Sequence, residues 1–188
     1  EEAHALVSPT GERAPLVHRD ISPENVLLDR HGRVLVADFG LARELASREN
    51  LTQAGVVKGK LPYMSPEQLM ALPLDGRADL YAAGVTFFEL LCGRRPYEAS
   101  NPLQALERAR GAVPRPAHVR PSIPPALSEL AWRWRHPDVD ARGEGVSAAR
   151  LALEEALAGL LHGVPSASLA SLVVRSAGDG PQAPRAAP

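Results

Sequence analysis

Two short acidic motifs flanking a strand-like run set the tightest limit on what this chain can fold into. The first is His18-Arg19-Asp20-Ile21-Ser22-Pro23-Glu24-Asn25, and the second is Asp38-Phe39-Gly40. Between them, Val26-Leu27-Leu28 and Val34-Leu35-Val36-Ala37 are leucine and β-branched runs joined by Asp29-Arg30-His31-Gly32-Arg33, which has a hairpin turn's composition. With Leu16-Val17 as a further short strand, these elements would hold the first motif at its two ends. Phosphoryl transfer from a magnesium nucleotide needs this set of groups. Asp20 can accept the proton of an attacking hydroxyl, while Asn25 and Asp38 offer oxygen ligands to metal ions bridging the phosphates. The three side chains are expected to converge in one cleft around a divalent cation.

A lone His or Asp is more often structural, Phe39 alone reads as core, and an Asx residue beside a glycine often makes only a turn. The joint pattern reverses those priors. At roughly one-in-twenty residue frequencies, seven specified residues at fixed offsets arise by chance somewhere in a chain of this size with a probability below about one in a million.

At these residues the chain resembles the protein kinase family, specifically its carboxy-terminal lobe. Ser65-Pro66-Glu67 is similar to the family's Ala-Pro-Glu, closing a segment that opens at Asp38 and resembles the activation segment. Asp79 resembles the aspartate that starts the family's central buried helix, and Arg142 the arginine that pairs with the glutamate, here Glu67. The resemblance covers about residues 1–161 and is most specific between His18 and Tyr97. It implies ATP and Mg2+ as cofactors, Asn25 and Asp38 as metal ligands, and Asp20, Arg19, Ser22 and Asn25 as the catalytic set. Asn25, Leu27 and Asp38 are implied at the nucleotide, with Leu27 beneath the adenine ring, although a plain strand core residue would look the same. His18 and Phe39 are implied as a stacked packing pair, and Glu67 and Arg142 as a buried ion pair.

Two departures alter the charge balance. Ser22 stands where most serine/threonine kinases have a lysine touching the transferred phosphate, and Lys60 follows Gly59 where a threonine is usual. A serine cannot neutralise phosphate charge, so either Lys60 or another group compensates, or transfer is slow. The His-Arg-Asp-x-Ser-Pro variant resembles bacterial serine/threonine kinases, and tyrosine specificity is the weaker reading. Arg19 beside the catalytic aspartate implies control by phosphorylation of the segment, with Thr52 the first candidate and Ser47 the second; as ordinary loop hydroxyls they need no such role.

Upstream, only seventeen residues precede His18, and Glu1 to Leu6 resemble the end of the helix before the catalytic loop. The small amino-terminal lobe, with its Gly-rich loop, strand lysine and helix glutamate, is therefore expected to be missing, making the chain a partial kinase domain inactive alone.

Composition narrows the class further. At 188 residues and 45% hydrophobic, the chain can bury one core, and a net charge of -1 gives no electrostatic case for nucleic acid or membrane. Cys92 is the only cysteine and reads as helix core, which agrees with a reducing, cytoplasmic setting. No stretch approaches the ~20 apolar residues of a spanning helix.

The expected fold is mainly α with a few short β-strands (α+β). Ala78 to Leu91 is apolar nearly all round and predicts a buried helix stopped by Gly93. Asn101-Pro102 opens a helix from Leu103 to Arg110, and Pro125 to Arg135 predicts another, with Trp132 and Trp134 as packing residues. Ser147 is expected to cap a last helix running to Leu161, with Leu151, Ala152, Ala156 and Leu157 on one face. Proline-rich Val113 to Pro125 predicts an extended loop, and residues 162–188 a flexible Ala/Pro/Ser-rich tail with Leu169 to Val174 as its apolar patch.

Three functions stay open at this point. The first is the catalytic lobe of an ATP-dependent kinase acting on Ser/Thr hydroxyls of a protein substrate. The second is a pseudokinase or binding scaffold. A small-molecule phosphotransferase stands third, since such enzymes usually lack the counterparts of Arg19 and Ser65-Pro66-Glu67.

Overall fold

The computed structural model describes residues 16–38 and 59–161. Phe39, Ser47, Thr52, the opening residues Glu1 to Leu6 and the expected tail at 162–188 lie outside the described residues.

The architecture is mainly helical, with one two-stranded sheet among the described residues. Strands β1 (Val26–Leu28) and β2 (Val34–Val36) pair antiparallel, with Leu27 opposite Leu35. Their turn follows from two residues. Asp29 accepts backbone N–H bonds from His31 and Arg33 at 2.8 and 2.9 Å, and Gly32 takes φ +79°, which a side chain would disfavour. Leu16-Val17 forms no strand; Val17 is buried in the irregular chain leading into the first motif.

Six α-helices follow among the described residues: α1 (Pro66–Leu69), α2 (Gly76–Cys92), α3 (Pro102–Arg110), α4 (Pro116–Val119), α5 (Pro125–Trp134) and α6 (Val146–Leu161). Helix α2 begins two residues before the apolar run because the Asp75 side chain caps it, accepting from Arg77 N at 2.8 Å. It ends at Gly93 in the left-handed region (φ +72°). Ala78, Leu80, Tyr81, Ala82, Val85 and Phe88 are buried around its circumference, whereas Leu90 points outward. Each fully buried Leu, Val or Phe contributes about 1.5–3 kcal/mol relative to exposure.

Helix α2 packs most extensively on α5. Gly84 permits this approach: a Cβ there would lie 2.7 Å from the backbone N of Arg135 and 2.9 Å from Cβ of Trp134. Leu80, Trp134 and Ala149 bring α2, α5 and α6 together, with Phe87 tilted against Trp134 at a ring separation of 5.6 Å. A second cluster of Tyr63, Tyr81, Ala82, Val85 and Ala109 joins α2 to α3 and to the 3-10 turn Leu61–Tyr63. Ile21, from the first motif, packs on this cluster.

Several sequence-based expectations are corrected here. Ser147 lies inside α6, which starts at Val146. Leu151 faces solvent, while Leu153 takes the inward position. The proline-rich stretch contains α4, because Pro116 sits in its first turn, where a missing N–H costs nothing, and Ser128 Oγ accepts from Ala117 N at 3.0 Å. Cys92 is the last residue of α2 and only half-buried. No helix among the described residues is long and apolar enough to cross a membrane.

Candidate active site

The loop from His18 to Asn25 hangs from α2 by its backbone. Asp79, in the first turn of α2, accepts from His18 N and Arg19 N with its two carboxylate oxygens, both at 2.8 Å. This matters because Arg19 takes φ +70°, a conformation that costs a non-glycine residue about 1–3 kcal/mol unless its surroundings hold it there. A second hold comes from α1, where Gln68 Nε2 donates to Arg19 O at 2.8 Å. Gln68 is itself fixed by a reciprocal capping box with Ser65, in which Ser65 Oγ accepts from Gln68 N and Gln68 Oε1 accepts from Ser65 N.

Asp20 and Asn25 are brought into direct contact. The Asn25 amide donates to Asp20 O at 2.6 Å and to Asp20 Oδ2 at 2.9 Å, across the 3-10 turn Pro23–Asn25. The buried His18 ring completes the frame. Asp20 N donates to its Nδ1 at 3.3 Å and its Nε2 lies 2.9 Å from Ala37 O, contacts that the Nε2–H tautomer satisfies together.

Asp38 is tied to this frame through its neighbour. Ala37 N donates to Asn25 O at 2.9 Å, so β2 delivers residue 38 beside the loop. Asp38 has φ +62°, and its exposed carboxylate makes no hydrogen bond or ion pair with a described residue. The guanidinium of Arg19 likewise has no partner among the described residues.

Lys60 enters the site from a different direction. Its Nζ lies 2.5 Å from Asp20 Oδ2, across forty positions of sequence. Ser22 is turned inward, 1% exposed, and its hydroxyl has no hydrogen-bond partner among the described residues. Leu27 lies in β1 and is half-exposed.

Glu67 and Arg142 form a bidentate pair at 2.5 and 2.8 Å. Arg142 uses its remaining donors on the carbonyls of His136, Arg77 and Pro137, and its guanidinium lies 5.0 Å from the centre of the Tyr81 ring. Burial alone would raise the Glu67 pKa, but the hydrogen bonds and charge of Arg142 outweigh it and hold the carboxyl below its ordinary value. Sequence reasoning named Lys60 as one compensating charge but not its contact with Asp20, and it missed Gln68 altogether. The Ser65-x-x-Gln68 spacing is a readable capping signal, but neither long-range partner is written in it.

The protein kinase domain pattern matches residues 13–143, and the chain belongs to this family. Among similar proteins, the serine/threonine-protein kinase PknL of Mycobacterium tuberculosis is 43% identical over 119 residues, 63% of this chain and 30% of that protein. The tyrosine-protein kinase MasK of Myxococcus xanthus is 40% identical over 129 residues, 68% of this chain and 20% of the relative. A probable serine/threonine-protein kinase of Streptomyces coelicolor, SCO3848, is 36% identical over 157 residues, 82% of this chain and 23% of its counterpart. The chain thus spans between 20 and 30% of the length of these three relatives.

Proposed function

We propose that the chain supplies the carboxy-terminal lobe of a serine/threonine protein kinase, transferring a phosphoryl group from Mg-ATP to a protein hydroxyl. The observation that carries this reading is the Asp20 carboxylate, held by the Asn25 amide on a loop whose backbone is clamped by Asp79 and Gln68. Phosphoryl transfer asks a protein for positioning and charge rather than covalent chemistry, and a clamped carboxylate answers the first demand. In the proposed reaction Asp20 orients the acceptor hydroxyl and takes its proton.

The donor set suits magnesium. With the Asn25 amide nitrogen engaged by Asp20, its carbonyl oxygen remains for a hard cation, and Asp38 offers an exposed carboxylate. Among the described residues no cluster of three or more His, Cys, Asp or Glu could hold a metal by itself. One carboxylate plus one amide is the sparse protein contribution typical where phosphates complete the coordination of Mg2+. The bound ion would supply charge neutralisation at the phosphates.

The exposed apolar side chains of β1 and β2, Leu27 among them, support a nucleotide base and an amino-terminal lobe packing on that side. Two of the three relatives above are named serine/threonine kinases and one a tyrosine kinase, and the bacterial serine/threonine reading is preferred here. The guanidinium of Arg19, with no partner among the described residues, suits pairing with a phosphate placed on Thr52 or Ser47. A scaffold without turnover is the second reading, favoured by one contact: Lys60 neutralises the carboxylate that must act as base.

Expression of the full reading frame, with Asp20→Asn alongside, separates these readings. Transfer of labelled phosphate from Mg-ATP to protein is expected, falling about 10²- to 10⁴-fold in Asp20→Asn. Equal labelling by both proteins would refute the role of Asp20.

A further inference from the structure

We propose that Lys60 is the phosphate-directed cation of this site, parked on Asp20 until a nucleotide arrives; this rests on the phosphoryl-transfer reading above. Within the loop that bears Asp20, the residue facing inward at position 22 is a buried serine whose hydroxyl has no partner among the described residues. It carries no charge. Lys60 brings a full positive charge to Asp20 Oδ2 at 2.5 Å, from outside the loop.

The backbone beneath Lys60 is fixed on both sides, so this placement belongs to the fold. Gly59 takes φ +117° and its carbonyl accepts from Arg95 Nη1 at 2.8 Å. On the other side, Lys60 O accepts from Tyr63 N at 3.0 Å, and Tyr97 OH donates to Pro62 O at 3.1 Å. Tyr97 OH in turn accepts from Tyr81, and Tyr63 OH donates to Glu89 of α2. Four atoms of methylene stem then swing from a rigid base.

The pair itself is not locked. Lys60 and Asp20 side chains are 22% and 28% exposed, and ion pairs this open to water are weak and readily exchanged. An incoming triphosphate brings several negative charges to a carboxylate that must stay ionised to work as a base. A lysine is a compact point charge suited to phosphate. Its transfer from Asp20 to the phosphate would free the carboxylate oxygen for the substrate hydroxyl. In the transfer itself the acceptor oxygen bonds to phosphorus, and the bond to the bridging oxygen breaks. The electron pair leaves with the nucleoside diphosphate, and Asp20 takes the hydroxyl proton. Lys60 remains protonated throughout and stabilises charge on the phosphoryl oxygens.

The test compares wild type, Lys60→Met, Lys60→Arg and Asp20→Asn, each expressed from the full reading frame. Lys60→Met is expected to lose about 10²- to 10³-fold in kcat, with KM for ATP rising by up to about tenfold as the ground-state contact to the terminal phosphate is lost, while Lys60→Arg recovers much of the rate. A second readout needs no turnover. Wild type should prefer a non-hydrolysable ATP analogue over ADP by calorimetry, and Lys60→Met should lose about tenfold of that preference, the value of one charged hydrogen bond. A Lys60→Met protein with unchanged preference and most of its kcat, beside a dead Asp20→Asn, overturns the role of Lys60 and leaves the kinase reading intact. Loss in Lys60→Met and Lys60→Arg alike, with both melting early, would make Lys60 a structural tie and also overturn it. No transfer by wild type itself would remove the phosphoryl-transfer reading and this proposal together.

Discussion

The helical base and the β1–β2 hairpin carry similar apolar side chains and treat them in opposite ways. In α2, six apolar residues are at most 4% exposed, whereas Leu27, Leu28, Val34, Leu35 and Val36 of the hairpin are 41–54% exposed. The sequence runs look alike, and the difference lies in what packs on them. Helix α2 is enclosed by α5, α6, α3 and the turn at Leu61–Tyr63. The hairpin is held mainly through backbone bonds, such as Ala37 N to Asn25 O, and through the His18 ring. Asp20 sits where the two regions meet. Its position therefore draws rigidity from the base, while its side chain stays 28% exposed.

The hardest blow to the base is Arg142→Ala. It leaves the Glu67 carboxylate buried without its cation and strips three carbonyls of a donor. Losing one member of a buried pair costs roughly 3–5 kcal/mol, so the urea midpoint should fall sharply. An unchanged midpoint would mean that the base does not depend on this pair, and the contrast between the regions would weaken.

A gentler probe of the same pair is acid. Folding holds the Glu67 carboxyl below the ordinary 4.5, so the folded chain binds its proton less readily than the unfolded chain. The stabilisation is fully present above the unfolded value and declines as pH falls through the lower folded one. Glu67→Gln should flatten this part of the stability profile below about pH 4.5, and because its amide still fills the space, the loss at neutral pH should be smaller than for Arg142→Ala. Parallel profiles for both proteins would assign the acid sensitivity elsewhere.

How far the sequence could be read follows the same division. Helices α2, α3 and α5 were legible because apolar periodicity, Asn101 and Gly93 are local signals, and the hairpin was legible from Asp29 and Gly32. Errors arose where one residue type has two local meanings. Ser147 looks like a cap, yet Ala149 N already donates to Gly145 O at 3.1 Å, which places the helix start ahead of it. Pro116 looks like a breaker but opens α4. In the site, the contact of Asp20 with Asn25 lies within one turn and was inferable. By contrast, the contacts of Lys60 with Asp20 and of Gln68 with Arg19 join segments forty or more positions apart, and only tertiary packing could reveal them.

The smallest expected effect is the most direct check of the contrast. Leu35 stands opposite Leu27 at the centre of the hairpin register and is half-exposed, so Leu35→Ser removes little packing from this chain. Substitutions at such exposed positions usually change stability by no more than about 0.5 kcal/mol. Serine also has a poorer strand propensity than leucine, which sets the sign as slightly destabilising. A near-unchanged urea midpoint, beside the large drop in Arg142→Ala, would establish that the base folds without help from the hairpin face. A loss approaching that of Arg142→Ala would show the opposite: that Leu35 is covered in solution, and that the apolar face of β1 and β2 belongs to a buried layer rather than to an open side of the site.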